Sequence, residues 1–228
     1  DLLAAVSVVP GIERVRFISP HPKDFLDRVI DQVADNPKVC PHIHLPLQAG
    51  NDRILQMMNR TYTQAGFLAL VDRIRARCPG VALTTDVIVG FPTETDAEFA
   101  DTVDVMRRVG FDAAFIFKYS SRKGTVASRR YPDDVPEAVK TERIVALNER
   151  QTAISLARNQ AVIGQEREVL IEDLQAQRDS ALCLGRTADN KLVVLPNQGY
   201  TLGQLITVPI ADASPHRSEE HTSELQSR

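Results

Sequence analysis

Three stretches of the chain carry side chains able to do chemistry. Cys40, His42 and His44 alternate along one short segment that runs on to Gln48. Cysteine and histidine are metal ligands, but a mononuclear zinc site wants a fourth group in tetrahedral geometry and the spacing indicates none, so lining of a polar cavity is the preferred reading. The run TTDVIVGFPTET, Thr84 to Thr95, is a strand whose C-terminal end turns sharply into a helix. Ligands collect at the C-terminal ends of parallel strands, and the amides that open the next helix favour an anionic or polar group. An ordinary strand-to-helix turn is the competing reading. The third stretch holds Lys118, Arg122, Lys123, Arg129 and Arg130 with no acid among them, flanked by Phe117 and Tyr119. Such a cluster is either a solvated loop or a patch for phosphates.

These residues must be positioned by alternating strands and helices. Strand candidates are 14–19, 43–48, 82–90 and 113–119, from Arg14 to Tyr119. Between them lie a helix with Leu26, Val29, Ile30 and Val33 on one face, one with Phe67, Leu70, Val71 and Ile74, and one opened by a Thr95–Glu98 capping box. Phe99, Val103 and Met106 face inward on that third helix, which closes at Gly110. Strand, helix, strand at this spacing predicts parallel strands, in a barrel or a doubly wound sheet. The strand faces are informative. Leu83, Thr85, Val87 and Val89 alternate with Thr84, Asp86, Ile88 and Gly90, and His42, His44 and Gln48 oppose Ile43, Leu45 and Leu47. One polar face suits a barrel lumen that holds a polar ligand.

A long helix follows Pro136, with Leu147, Ile154 and Ala161 seven apart and a stop at Gly164. Beyond it four short strands, 166–172, 182–187, 191–195 and 205–210, predict a small all-β barrel. The chain has 228 residues, 43% apolar content and a net charge of −3, which suffices for one large core and a second small domain but announces no global attraction to nucleic acid. No run approaches a membrane span and no signal segment is evident, so a cytoplasmic location without membrane contact is expected. Cys40, Cys78 and Cys183 are odd in number and far apart, which argues against a disulfide framework.

The motifs SPHP (19–22), HLPLQAGND (44–52), MNRTYT (58–63), TTDVIVGFPTET (84–95), FKYSSRKGT (117–125) and GRTADNK (185–191) occur in that order. Their succession resembles the MiaB-type tRNA methylthiotransferases of the radical S-adenosylmethionine class, from the start of the chain to about residue 214. Ribosomal-protein methylthiotransferases are close relatives, but their equivalent of HLPLQ usually begins with Asp. The resemblance implies an α/β fold: a partial (βα)6 barrel lacking its first strands over 1–133, a connecting helix over 134–163, and a small all-β TRAM, OB-like domain over 164–214.

The activity it implies is addition of a methylthio group to C2 of N6-isopentenyladenosine beside the tRNA anticodon, with an electron donor and the anticodon stem-loop as partners. It also implies S-adenosylmethionine and two 4Fe-4S clusters in the intact parent. For the cofactor it points to His44, Gln48, Asp86, Ile88, Gly90 and Phe117, with Arg16 and Ser19 as lumen candidates. For RNA it points to Arg122, Lys123, Arg129, Arg130, Arg186, Asn190 and Lys191. The C-x3-C-x2-C signature that holds the catalytic cluster is absent, so no metal ligand set and no cluster is expected in this chain, which reads as an inactive fragment beginning inside a domain. An RNA-binding remnant is the alternative of a different class. The last residues, RSEEHTSELQSR, resemble a translated sequencing adapter, and 215–228 are expected to be unstructured.

Overall fold

In the computed structural model, which describes residues 2–18, 21–175, 181–215 and 218–220, the chain divides into two compact units, Asp1–Gln151 and Thr152–Arg228. The first is built on a parallel sheet in the order β1 (His42–His44), β2 (Ala82–Val89), β3 (Ala113–Lys118). Around it run α1 (Leu2–Ser7), α2 (Asp27–Asp35), α3 (Asp52–Met57), α4 (Gln64–Arg77) and α5 (Asp96–Val109). Ahead of α2 comes a single 3-10 turn, Pro22–Asp24. Short α3 and α6 (Val126–Arg130) were not foreseen, because neither is long enough to show a period.

The apolar sheet face is the predicted one. Ile43, Leu45, Leu47, Leu83, Val87 and Val89 are buried against Phe67 and Ile74 of α4, Val105 and Met106 of α5, and Phe111. Each such side chain contributes roughly 1.5–3 kcal/mol on burial. On α5 the buried set is Thr102, Val105, Met106 and Val109, while Phe99 and Val103 pack at its margin. The capping box of Thr95 and Glu98 is formed, and Gly110 closes the helix with φ 55°.

One expected strand is missing. In 14–19 only Val15 pairs, through a bridge to Val39, with Val15 N donating to Lys38 O at 2.7 Å and Cys40 N to Val15 O at 3.0 Å. Pro37 and Pro41 bracket the partner segment and limit it to that one bridge. Ser19 lies outside the described residues.

After Pro136 comes α7, Glu137–Gln160. The second unit is a closed barrel in the order β4 (Glu166–Asp173), β5 (Leu182–Thr187), β6 (Leu192–Pro196), β8 (Ser218–Glu220), β7 (Leu205–Ala213). Its core is Val169, Ile171, Cys183, Val193, Leu195, Val208 and Ile210. Gly185 lets β4 and β5 approach closely, since a Cβ there would stand 2.2 Å from Val169 Cγ1 and 2.9 Å from Leu170 O. The expectation of an unstructured tail needs correction at its start: Ser218–Glu220 pairs in parallel with β6 and antiparallel with β7 and completes the barrel. The open edges of β6 and β7 offer unpaired backbone groups that any short extended segment satisfies. Residues 221–228 lie outside the described residues.

Candidate functional site

Pro46 has no amide hydrogen and interrupts the ladder between the segment after β1 and β2. Thr85 repairs the gap: its hydroxyl donates to Leu45 O at 2.8 Å and accepts from Leu47 N at 2.9 Å. Pairing then resumes at Gln48, whose N donates to Asp86 O at 2.8 Å and whose O accepts from Ile88 N at 2.9 Å. Gln48 adopts φ 64°, a left-handed conformation that costs a non-glycine residue on the order of 1 kcal/mol.

The polar face carries a continuous chain of contacts. Thr84 Oγ1 lies 3.0 Å from both His42 Nε2 and His44 Nδ1, and His44 Nε2 lies 3.3 Å from Asp86 Oδ2. With His44 neutral, one assignment satisfies all three. His42 Nε2–H donates to the Thr84 hydroxyl, the hydroxyl donates to His44 Nδ1, and His44 Nε2–H donates to Asp86. A second proton on His44 reverses the hydroxyl, because both ring nitrogens then donate. The arrangement is therefore able to hold or pass a proton along the face.

Strand register brings the other residues alongside. Asp86 is paired with Phe115 and Ile88 with Phe117. Both phenylalanines are half exposed, 55% and 52%, although they lie on a sheet. Phe117 was anticipated; Phe115 was not, and its alternation with Phe117 was the available signal. The His44 and Phe115 rings meet edge-on at 6.2 Å.

Buried charges fix the turn after β2. Glu94 accepts from Gly90 N at 2.7 Å and pairs with Arg143 of α7 at 2.8 Å, with side chains only 1% and 6% exposed. Burial pushes the Glu94 carboxyl above its usual range, opposed by the Gly90 amide and the Arg143 charge. Arg143 also reaches Asp96 at 2.7 Å. Lys140, buried beside it, pairs with Asp133 at 2.5 Å, and a Cβ at Gly90 (φ 70°) would strike its Cγ at 2.4 Å. At the mouth of α5, Arg53 forks onto Glu98 at 2.5 and 2.7 Å, which holds that carboxyl down at about 2. Sequence reading missed Glu94, Lys140 and Arg143, since nothing local marks a pair 49 residues apart.

The basic residues fall in two environments. Arg122, Lys123, Arg129 and Arg130 are exposed, and none has an ion-pair partner among the described residues. In the barrel, Arg186 Nε lies 2.9 Å from Glu172 Oε2 and Nη1 3.4 Å from Asn190 O. Lys191 Nζ donates to Asn159 Oδ1 at 2.9 Å, and Asn190 takes φ 71° in the β5–β6 turn. The three cysteines are buried, dispersed and outside any disulfide; Cys78 Sγ faces Ile30 O at 3.4 Å and Cys183 Sγ faces Leu195 O at 3.6 Å. Among the described residues no group of three or more His, Cys, Asp or Glu is placed to hold a metal ion, so the residues present do not fit an iron-sulfur cluster. No helix among them is long and apolar enough to cross a membrane.

Residues 1–106 match the radical SAM superfamily and residues 160–219 the TRAM domain. Over 212 residues the chain is 46% identical to a tRNA-2-methylthio-N(6)-dimethylallyladenosine synthase of Moorella thermoacetica, covering 93% of this chain and 47% of the relative. A protein of the same name from Mycolicibacterium paratuberculosis is 47% identical over 218 residues, covering 94% of this chain and 42% of that one. The chain belongs to the radical SAM methylthiotransferase family. It spans less than half the length of these relatives. Among solved structures, Escherichia coli coproporphyrinogen III oxidase, described as a radical SAM enzyme, superposes with a TM-score of 0.52 at 15% identity over 77% of this chain and 46% of its own. That likeness is one of fold. It agrees with an α/β barrel portion followed by a small β barrel.

Proposed function

We propose that the chain is part of an enzyme that adds a methylthio group to C2 of N6-isopentenyladenosine beside the anticodon of tRNA, in the cytoplasm. The observation that carries this reading is the ordered polar face at the strand ends, in a chain with 46% identity to a tRNA-modifying relative. Gln48, Asp86, Ile88, Gly90 and Phe117 hold S-adenosylmethionine, and His44 orients Asp86. The Asp86 carboxylate suits a cofactor with cationic sulfonium and ammonium groups, Ile88 and Phe117 suit its adenine, and the αL turn of Gln48 presents an amide to its ribose. Bound there, the cofactor supplies group-transfer chemistry to the substrate.

The clusters and their electron donor belong to the intact parent, as Cys40, Cys78 and Cys183 fit neither. For the chain by itself, that same dispersion favours RNA binding without turnover. Arg122, Lys123, Arg129 and Arg130 make phosphate contacts to the anticodon stem-loop, and Arg186, Asn190 and Lys191 present a second cationic edge. A ribosomal-protein substrate is disfavoured by the tRNA named in the relatives.

Two measurements test the reading. Full-length protein, expressed in a bacterium deleted for its own methylthiotransferase, is expected to restore methylthiolated adenosine to hydrolysed tRNA, read by mass spectrometry. Asp86→Ala is expected to abolish it while the protein stays folded. A methylthio mark on a ribosomal protein instead of tRNA would overturn the substrate assignment.

A further inference from the structure

We infer that Tyr62 is a positioning residue: acting through Gln48 and not by contact with a ligand, its hydroxyl fixes the strained turn that carries the Gln48 side chain. Three of the motifs met in the sequence come together at this tyrosine. It belongs to MNRTYT, its hydroxyl reaches back into HLPLQAGND, and its ring meets the His21 ring of SPHP edge-on, with centroids 5.1 Å apart. The hydroxyl donates to Leu47 O at 2.9 Å and shares its hydrogen with Pro46 O at 3.1 Å. Burial pushes the phenol up to about 12, so it stays a donor throughout the neutral range. A side chain needed only to fill space would not require a hydroxyl on two consecutive carbonyls, since phenylalanine has the same ring.

Those two carbonyls lead directly into Gln48. Ala49 N donates to Leu47 O at 2.8 Å across Gln48, whose φ is 64°. A hydrogen bond to the next residue but one, around a central positive φ, is the rare and strained form of the γ-turn. Strained backbone persists where its surroundings over-determine it, and it collects at functional sites. Here the peptide plane joining Leu47 to Gln48 is held at both ends. Tyr62 and Ala49 donate to its oxygen, and its N–H donates to Asp86 O at 2.8 Å. Two residues past Tyr62, Gln64 Nε2 donates to Gly50 O at 2.7 Å, so one short segment grips the chain on both sides of Gln48. The bonds from Asp86 and Ile88 continue a strand ladder; the Tyr62 hydroxyl is the side-chain donor that acts on the carbonyl at the head of the turn. The inference rests on Gln48 meeting S-adenosylmethionine, as proposed above.

The test uses full-length protein and two readouts: amide hydrogen exchange, resolved to single residues by fragmentation mass spectrometry, and equilibrium dialysis of S-adenosylhomocysteine. Tyr62→Phe keeps the ring and removes the hydroxyl. Exchange at Ala49 is expected to accelerate, and S-adenosylhomocysteine to bind about threefold to tenfold more weakly, the scale of one net hydrogen bond. In a Gln48→Gly background, where glycine takes a positive φ at no steric cost, the same change is expected to add no further loss. A fluorinated tyrosine at position 62, whose more acidic hydroxyl is a stronger donor, is expected to slow Ala49 exchange and tighten binding, which covers the case in which Tyr62→Phe does not fold. Unchanged Ala49 exchange in these proteins overturns the inference. So does faster exchange that leaves S-adenosylhomocysteine affinity intact while Gln48→Ala weakens it. A Gln48→Ala protein that binds S-adenosylhomocysteine as before overturns the cofactor reading of Gln48 and the inference with it.

Discussion

The basic segment of the first unit and the basic turn of the barrel look alike in sequence and are built differently. Arg122, Lys123, Arg129 and Arg130 project without ion-pair partners among the described residues, while Arg186 is forked onto Glu172 and Lys191 is tied to Asn159. Cations spent on the fold hold a turn in shape; cations left unpaired remain available to phosphates. Pairing, more than the number of basic residues, ranks the first cluster above the second as a phosphate surface.

The largest effect should come from a charge that is wholly structural. Arg143→Met leaves Glu94 buried and uncompensated, and the first unit should lose about 3–5 kcal/mol in urea unfolding followed by near-UV circular dichroism. Arg122→Ala should stay within about 0.5 kcal/mol of the parent. A smaller loss is expected in the barrel, where Gly185→Ala forces Cβ against Val169 and the Leu170 carbonyl. It should cost about 1–3 kcal/mol, read as an earlier transition of the second unit.

RNA binding sharpens the contrast. The double change Arg129→Ala, Arg130→Ala should flatten the plot of log affinity against log salt by about 0.7 per lost contact, whereas Glu172→Gln should leave that slope unchanged and cost less than about 1 kcal/mol of stability.

A pH titration isolates a third kind of charge. The Arg53 fork, together with the Thr95 amide and hydroxyl, lowers the Glu98 carboxyl from 4.5 to about 2, so the fork's share of the stabilisation is fully present above about pH 4.5 and is lost as pH falls towards 2. Arg53→Met should remove this part of the acid dependence. An unchanged acid limb would show that the fork contributes nothing.

Much of this molecule was legible one segment at a time. The α5 capping box, the Gly110 stop, the alternation of β2 and the four long barrel strands all follow from local pattern, because propensity and burial period act over a few residues. The predicted strand at 14–19 failed because its pairing depends on a partner bracketed by Pro37 and Pro41, and a strand needs both sides. Gln48, Asp86, Ile88 and Phe117 were nominated from strand-end position and family motif. Phe115, Glu94, Lys140 and Arg143 were not.

The amino-acid sequence by itself determined the alternation of strands and helices, the polar face of β2, the absence of the cluster-binding signature and the family. Those properties are local or compositional. Only the tertiary structure decided which side chains meet: the His42–Thr84–His44–Asp86 chain, the clamp from α7 onto the Gly90 turn, and the pairing that separates one basic cluster from the other. Hydrogen bonds and desolvated charges act over about 3 Å, and neighbours at that range lie up to 56 residues apart among the described residues.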